Sequence, residues 1–152
     1  MNSLFDILRA RREDIERRWL AAASELVDDE YREMLQSPLG MRLLRRILDD
    51  LADYEAAEEY QASAVLRRIE EASAAEARHR VTVGFALADI LAALQAIRTA
   101  VWEVLIDAVA EGRLPPLGQV MAEMKELDEL LDCIVRAEVA GSLAARHPAC
   151  DA

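Results

Sequence analysis

The stretch that decides the fold runs from Leu87 to Gly112 and reads LADILAALQAIRTAVWEVLIDAVAEG. Its large apolar residues recur every three or four positions, which is the period of a helix with one buried face. The pattern predicts a helix of about six turns, and Gly112, just past its end, is the residue type that commonly closes a helix. The apolar positions are Leu87, Ile90, Leu94, Ile97, Val101, Val104 or Leu105, and Ala108.

The same helical period appears before this central stretch. It predicts one helix over residues 3–26, with Ser3 and Asp6 as a capping pair at its start. Ser37 and Pro38 mark the start of a second helix, because serine caps free backbone amides and proline is tolerated in the first turn. The apolar pattern is interrupted at residues 55–60, so we expect a break there before a third helix.

Two further boundaries frame the central helix. The third helix is expected to end near Thr82, with Thr82 or its neighbour as the cap of the helix that follows. After the proline-containing connector 113–118, a fifth helix is predicted to fray near Gly141. No alternating strand pattern occurs. The sequence therefore predicts an all-α bundle of about five helices, with residues 1–145 as one domain and 146–152 as a flexible tail.

Charge and hydropathy exclude several classes of partner. The chain has 18 basic and 29 acidic side chains, a formal charge of 18 − 29 = −11, which argues against binding to nucleic acid or to an anionic membrane surface. The sequence contains no apolar run that approaches a membrane span, and its start lacks the pattern of a secretion signal. A cytoplasmic location is expected.

Side chains for catalysis and metal binding are scarce. With 2 His, 2 Cys and 5 Gly, the chain offers no hydrolase triad, no Cys-His pair and no glycine-rich phosphate loop. Glu76 and His79 have the Glu-x-x-His spacing of di-iron bundles, but that site needs two such motifs, and the other histidine, His147, has Ala144 at the matching position. No catalysis, no metal and no cofactor are predicted.

His79 leaves two alternatives open. One histidine on a helix suffices as the proximal ligand in a globin-like haem pocket. Acidic helical bundles of this size also present one exposed histidine for phosphotransfer, although that family has lysine and glycine three and four residues later, where this chain has Thr82 and Val83. Between Arg78 and Arg80 at a helix end, His79 fits a surface position best.

The two tryptophans fall on apolar stripes. Trp19 and Trp102 are expected to anchor the core. The alternative is that they line a small ligand cavity together with Tyr54, Phe85 and Met121.

A series of short motifs runs along the chain: Ile15-x-x-x-Trp19, Tyr31, Ser37-Pro38-Leu39-Gly40, Ala77-Arg78-His79-Arg80, Gly84 to Ile90, Leu94, Ala96-Ile97-Arg98 and Trp102. Their order resembles the N-terminal domain of RsbT co-antagonist (RsbR-type) proteins. The resemblance covers about residues 4–143 and implies a globin-like helical fold without haem, usually dimeric, that acts as a sensory or signalling module ahead of an output domain. It implies no catalytic residue.

A homodimer is therefore expected, together with a signalling partner or a fused output domain. A stripe broad enough to pack on two sides would favour dimerisation, and the candidate dimer contacts of the first helix are Leu4, Phe5, Leu8 and Ile15. After the last helix we expect only the short tail, without the family's phosphorylatable output domain. Two alternatives stay open, a module of a longer signalling protein and a stand-alone relative that acts by binding a partner.

Overall fold

The computed structural model describes residues 3–146, which form seven α-helices and contain no strand. The predicted all-α class is confirmed, although the helices outnumber the five expected. Residues 147–152 of the predicted tail lie outside the described residues. The helices are α1 (Leu4–Ala10), α2 (Arg12–Leu26), α3 (Asp29–Leu35), α4 (Pro38–Ala56), α5 (Glu59–Thr82), α6 (Leu87–Ala110) and α7 (Leu117–Arg146).

The N-terminal apolar stripe belongs to two helices rather than one. As predicted, Ser3 caps α1, because its Oγ accepts a hydrogen bond from the backbone N–H of Asp6 at 3.0 Å. Arg11 departs from helical geometry (φ −109°, ψ 23°) and donates its N–H to the carbonyl of Ile7, and α2 begins at the next residue. The prediction of one helix over residues 3–26 is wrong because apolar positions keep helical spacing across this break.

The short helix α3 is absent from the predictions. Asp28 caps it by accepting a hydrogen bond from the backbone N–H of Tyr31 at 2.9 Å. After it, α4 begins at Ser37 and Pro38 as predicted. The Ser37 hydroxyl, however, donates to the carbonyl of Met34 and so closes the preceding helix instead of capping α4.

Boundaries near the central helix are partly as predicted. The break at 55–60 is confirmed, since α4 ends and α5 begins within it, and Gly112 (φ +70°) lies just past α6. Thr82 is not the cap of α6. It is the last residue of α5 and donates its hydroxyl to the carbonyl of Arg78 at 2.8 Å, while Ala86 takes the cap position of α6 without a side-chain hydrogen bond.

Two helix pairs form the body of the fold. α5 packs along α7, and α2 packs along α6. The second pair is antiparallel, because Arg11 at the start of α2 meets Glu111 at the end of α6, and Trp19 farther along α2 reaches the carbonyl of Ala93. α4 packs on α3 and α5, and α1 contacts α4, α6 and α7. The long helix α6 contributes the most residues to the core, as its apolar stripe predicts.

Glycine sets the close contact between α5 and α7. The predicted fraying at Gly141 is wrong, because α7 continues to Arg146. A Cβ at Gly141 would overlap the backbone carbonyl of Ala74 on α5, so the two helix backbones approach each other here more closely than a side chain would allow. Gly118, in the first turn of the same helix, faces open space.

These two glycines provide a matched pair of variants. We expect Gly141→Ala to lower the free energy of unfolding by about 1–3 kcal/mol, since the added methyl overpacks the α5–α7 contact. Gly118→Ala gains helix propensity without a clash and should raise the free energy of unfolding by up to about 1 kcal/mol. Urea unfolding followed by circular dichroism measures both. A Gly141→Ala protein as stable as Gly118→Ala would contradict the close approach.

Candidate functional site

His79 lies in the last turn of α5 with its side chain exposed to solvent. It lines neither of the small internal voids found beside α6, each about 10 Å³. Such a void is about the size of a single water molecule, so the haem alternative gains no support from this placement. The exposure suits the phosphotransfer alternative, but Thr82 ends the helix one turn later.

Trp19 anchors the core as predicted. Its indole is buried and its Nε1 donates to the carbonyl of Ala93 at 3.0 Å, which satisfies the buried N–H and ties α2 to α6. One of the small voids lies beside it and is also lined by Tyr31, Leu44 and Ile90.

The other residues of the predicted cavity do not gather around Trp19. Tyr54, Phe85 and Trp102 are half-buried and pack separately against the core. Phe85 lies edge-on to the ring of Tyr31, with centroids 5.1 Å apart. Met121 is 65% exposed on α7, so it belongs to the surface.

The predicted dimer contacts are corrected by the structure. Leu4, Phe5, Leu8 and Ile15 are all buried in the core of the same chain, because the break at Arg11 lets α1 and α2 turn their common stripe inward. They therefore present no apolar face to a second copy. A dimer of this fold needs other side chains.

A buried ion pair that the sequence analysis did not predict joins α5 to α7. The Arg80 Nη2 donates to Oε1 of Glu138 at 2.5 Å, and these residues are 7% and 1% exposed. The same guanidinium donates through Nη1 to the hydroxyl of Tyr31 at 3.3 Å and through Nε to the carbonyl of Glu76 at 3.3 Å. One side chain thus connects α3, α5 and α7.

The ion pair is part of a larger polar cluster that includes α4. Arg46 lies between α4 and α5, with Nη1 donating to Oγ of Ser73 at 3.3 Å and Nε 3.2 Å from Oε1 of Glu76. Its Nη1 is also 3.5 Å from Oδ2 of Asp50, one turn along α4. We call the seven residues that share these contacts the polar cluster: Tyr31, Arg46, Asp50, Ser73, Glu76, Arg80 and Glu138.

The polar cluster holds three carboxylates and two guanidiniums, and some buried polar atoms of both kinds lack a hydrogen-bond partner. Among the described residues, the buried atoms there that make no hydrogen bond are Nε and Nη2 of Arg46, Oδ2 of Asp50, Oε2 of Glu76, Oε2 of Glu138 and, one turn beyond Glu138, Oγ of Ser142. Buried polar atoms usually find a partner, so the excess of buried carboxylate favours binding of a proton in the folded state.

Burial sets the direction of the pKa shifts in the cluster. Desolvation raises the pKa of Glu138 above its ordinary value of 4.5, and the opposing charge and hydrogen bond of Arg80 offset only part of this rise. Desolvation likewise raises the pKa of Asp50, against the charge of Arg46. The phenol of Tyr31 is also shifted upward, mainly by burial. All three groups are driven toward their neutral forms.

The sequence carried one weak signal for this cluster. Glu138 follows Ile134 by four residues on the buried face of α7, where an apolar residue is expected. A charge on an apolar stripe needs a buried partner, but spacing does not reveal which arginine supplies it.

The charged groups of the polar cluster are enclosed between helices, so the cluster can hold those helices together and take up a proton. It does not present a reacting group to a substrate.

No known protein family, curated protein or solved structure matches this chain. Among residues 3–146, no helix combines the length and apolar character needed to cross a bilayer.

The ion pair is tested by removing one charge and then both. Arg80→Leu should lower the free energy of unfolding by about 3–5 kcal/mol, because Glu138 then remains buried without its cation. Adding Glu138→Leu removes the unpaired charge and should restore most of that loss. Arg68→Leu, which breaks the exposed pair with Asp53 (2.9 Å), should cost less than about 1 kcal/mol. If Arg80→Leu costs no more than Arg68→Leu in urea unfolding, the ion pair is not structural.

The pKa of Glu138 predicts a pH dependence. Because its folded-state pKa is raised, the folded protein binds more protons than the unfolded chain between 4.5 and that pKa. Stability from this group is fully present below 4.5 and is lost as the pH rises through the folded-state pKa, with a slope of at most about 1.4 kcal/mol per pH unit.

Compared with Glu138→Gln, the wild type should therefore gain stability as the pH falls from 7 toward 4.5. Hydrogen bonding from Arg17 lowers the pKa of Asp14, which acts in the opposite direction but equally in both proteins, so it cancels in the comparison. Glu129→Gln, an exposed change on the same helix, serves as the control. Parallel stability profiles for wild type and Glu138→Gln would rule out proton uptake at this residue.

Proposed function

We propose that this chain is a non-catalytic sensory or signalling domain of the RsbT co-antagonist type, acting in the cytoplasm as a homodimer and by contact with a signalling protein or output domain. The observation that carries the proposal is a set of exposed apolar side chains at the α6–α7 end of the bundle. Ile106 and Val109 on α6 are 63% and 54% exposed, and Leu117 and Met121 on α7 are 75% and 65% exposed.

Their placement favours an interaction surface. Ile106 and Val109 are three residues apart, and Leu117 and Met121 are four apart, so each pair shares one face of its helix. Both pairs lie close to the connector 111–116 that joins the two helices. Single exposed apolar residues are ordinary, but a concentration of them marks a site of protein association. We call these four residues the apolar end.

The architectural motifs of the resemblance support the same proposal. Trp19 is a core anchor, Ser37 and Pro38 start a helix, and residues 84–90 lead into the long central helix. In addition, the polar cluster ties α3, α4, α5 and α7 into one unit. A domain whose helices are joined in this way can transmit a conformational change from one surface to another, because a contact at one surface shifts the populations of the conformations of the whole domain.

The dimer is tested by substitutions that introduce a negative charge at the apolar end. Ile106→Glu and Met121→Glu should each weaken self-association by about tenfold or more, because a carboxylate is desolvated at the centre of the contact. Leu26→Glu, an equally exposed apolar position at the end of α2, is the control and should leave association unchanged. Sedimentation equilibrium measures all three, with circular dichroism to confirm folding. A wild type that stays monomeric at about 100 μM would contradict the proposal, since weak dimers still associate at that concentration.

A further inference from the structure

A cleft of about 250 Å³ lies between α1 and α4. Its floor is apolar and is formed by Phe5, Leu8, Leu48, Leu51 and Ala52. This volume lies just below that of pockets for drug-sized ligands, so the cleft suits a small molecule. It is far larger than either void near α6.

Two arginines and one carboxylate form the rim of the cleft: Arg9, Arg12 and Asp49. Arg9 and Arg12 are three residues apart, one at each side of the break between α1 and α2. Arg9 donates from Nη1 to Asp6 at 3.0 Å, and its Nη2 lies 3.8 Å from Glu55. Arg12 donates from Nη1 to Asp49 at 2.7 Å and from Nη2 to the carbonyl of Arg45 at 3.1 Å, and its Nε lies 3.7 Å from Oε1 of Glu16.

These rim contacts can be exchanged at low cost. Each pair has one side chain that is more than half exposed, Arg9 opposite Asp6 and Asp49 opposite Arg12, and one that is about a third exposed. Ion pairs that are open to solvent in this way contribute little stability. The guanidinium of an arginine has five donors and binds carboxylates in a two-pronged geometry. A carboxylate from a ligand would therefore replace a protein carboxylate that already occupies the same kind of bond.

We infer that the α1–α4 cleft binds a small amphipathic carboxylate, with its alkyl or aryl part on the apolar floor and its carboxylate on Arg9 and Arg12. The apolar floor supplies the affinity, because each buried methylene contributes about as much as in transfer from water to hydrocarbon. The two guanidiniums supply the selection for an anionic head group. A domain that binds such a ligand where α1 meets α4 would respond to it through the helices that these two contact.

This inference does not depend on the proposed dimer, because the cleft and the apolar end share no residue. The ligand site and the oligomeric state can fail independently of each other.

The test is a titration of the full chain with straight-chain carboxylates from butanoate to octanoate, by isothermal calorimetry below the micelle concentration. We expect the dissociation constant to fall by about fourfold for each added methylene while the chain still fits the floor. Octan-1-ol, which has the same tail without the charge, should bind at least about tenfold more weakly than octanoate.

Three variants locate the site. Arg9→Gln and Arg12→Gln should each raise the dissociation constant of octanoate by about tenfold and leave that of octan-1-ol unchanged, since each substitution removes only the ionic contact. Ala52→Trp should fill the cleft and abolish binding of both ligands, whereas Ala64→Trp, on the exposed surface of α5, should abolish neither.

Three results would overturn the inference. The first is no heat at millimolar octanoate at either of two temperatures, since the heat-capacity change of apolar burial makes the binding heat nonzero at one of them, and the second is equal affinity for octanoate and octan-1-ol. The third is binding that survives Ala52→Trp in a folded protein, because the ligand would then lie elsewhere.

Discussion

The ion pair between Arg80 and Glu138 is the constraint on which the rest of the structure depends. Each of these charges is enclosed by helices, and a buried charge without a partner costs several kcal/mol. Glu138 must therefore face α5, and Arg80 must reach both Glu138 and the hydroxyl of Tyr31. The close approach at Gly141 brings the two helix backbones near enough for this contact. The pair and the Gly141 contact therefore join α5 and α7 at neighbouring points of the two helices.

Most of the helical framework could be predicted from periodicity and capping. The stripe of α6, the cap at Ser3 and the start of α4 at Pro38 follow from local rules that act within one or two turns. The break at Arg11 and the helix α3 could not be predicted in the same way. No glycine or proline marks Arg11, and the stripe continues through it, so the bend arises from packing of α1 against α4, α6 and α7. Tertiary contacts override local preference here.

In the candidate site, too, the locally determined features could be predicted from the sequence and the tertiary contacts could not. Trp19 could be placed from its stripe, and the structure adds only its hydrogen bond to Ala93. His79 draws attention as one of two histidines, yet its neighbour Arg80 makes the structurally decisive contact, because the helical turn directs Arg80 inward and His79 outward. The contacts of Arg46, Arg80 and Glu138 join residues distant in sequence. A single sequence shows that a charged residue interrupts the apolar stripe of α7, but it does not identify the residue that pairs with this charge.

The dependence of the fold on the buried ion pair is tested most directly by native-state hydrogen exchange followed residue by residue. If the pair ties α5 and α7 into one unit, the amides around Arg80 and Glu138 exchange only through global unfolding, with the free energy of unfolding of the whole domain. In Arg80→Leu/Glu138→Leu, which keeps the apolar packing, the same amides should exchange through a separate local opening of α7. Local exchange of the amides around Arg80 and Glu138 in the wild type, at a free energy well below that of global unfolding, would contradict the central role of this contact.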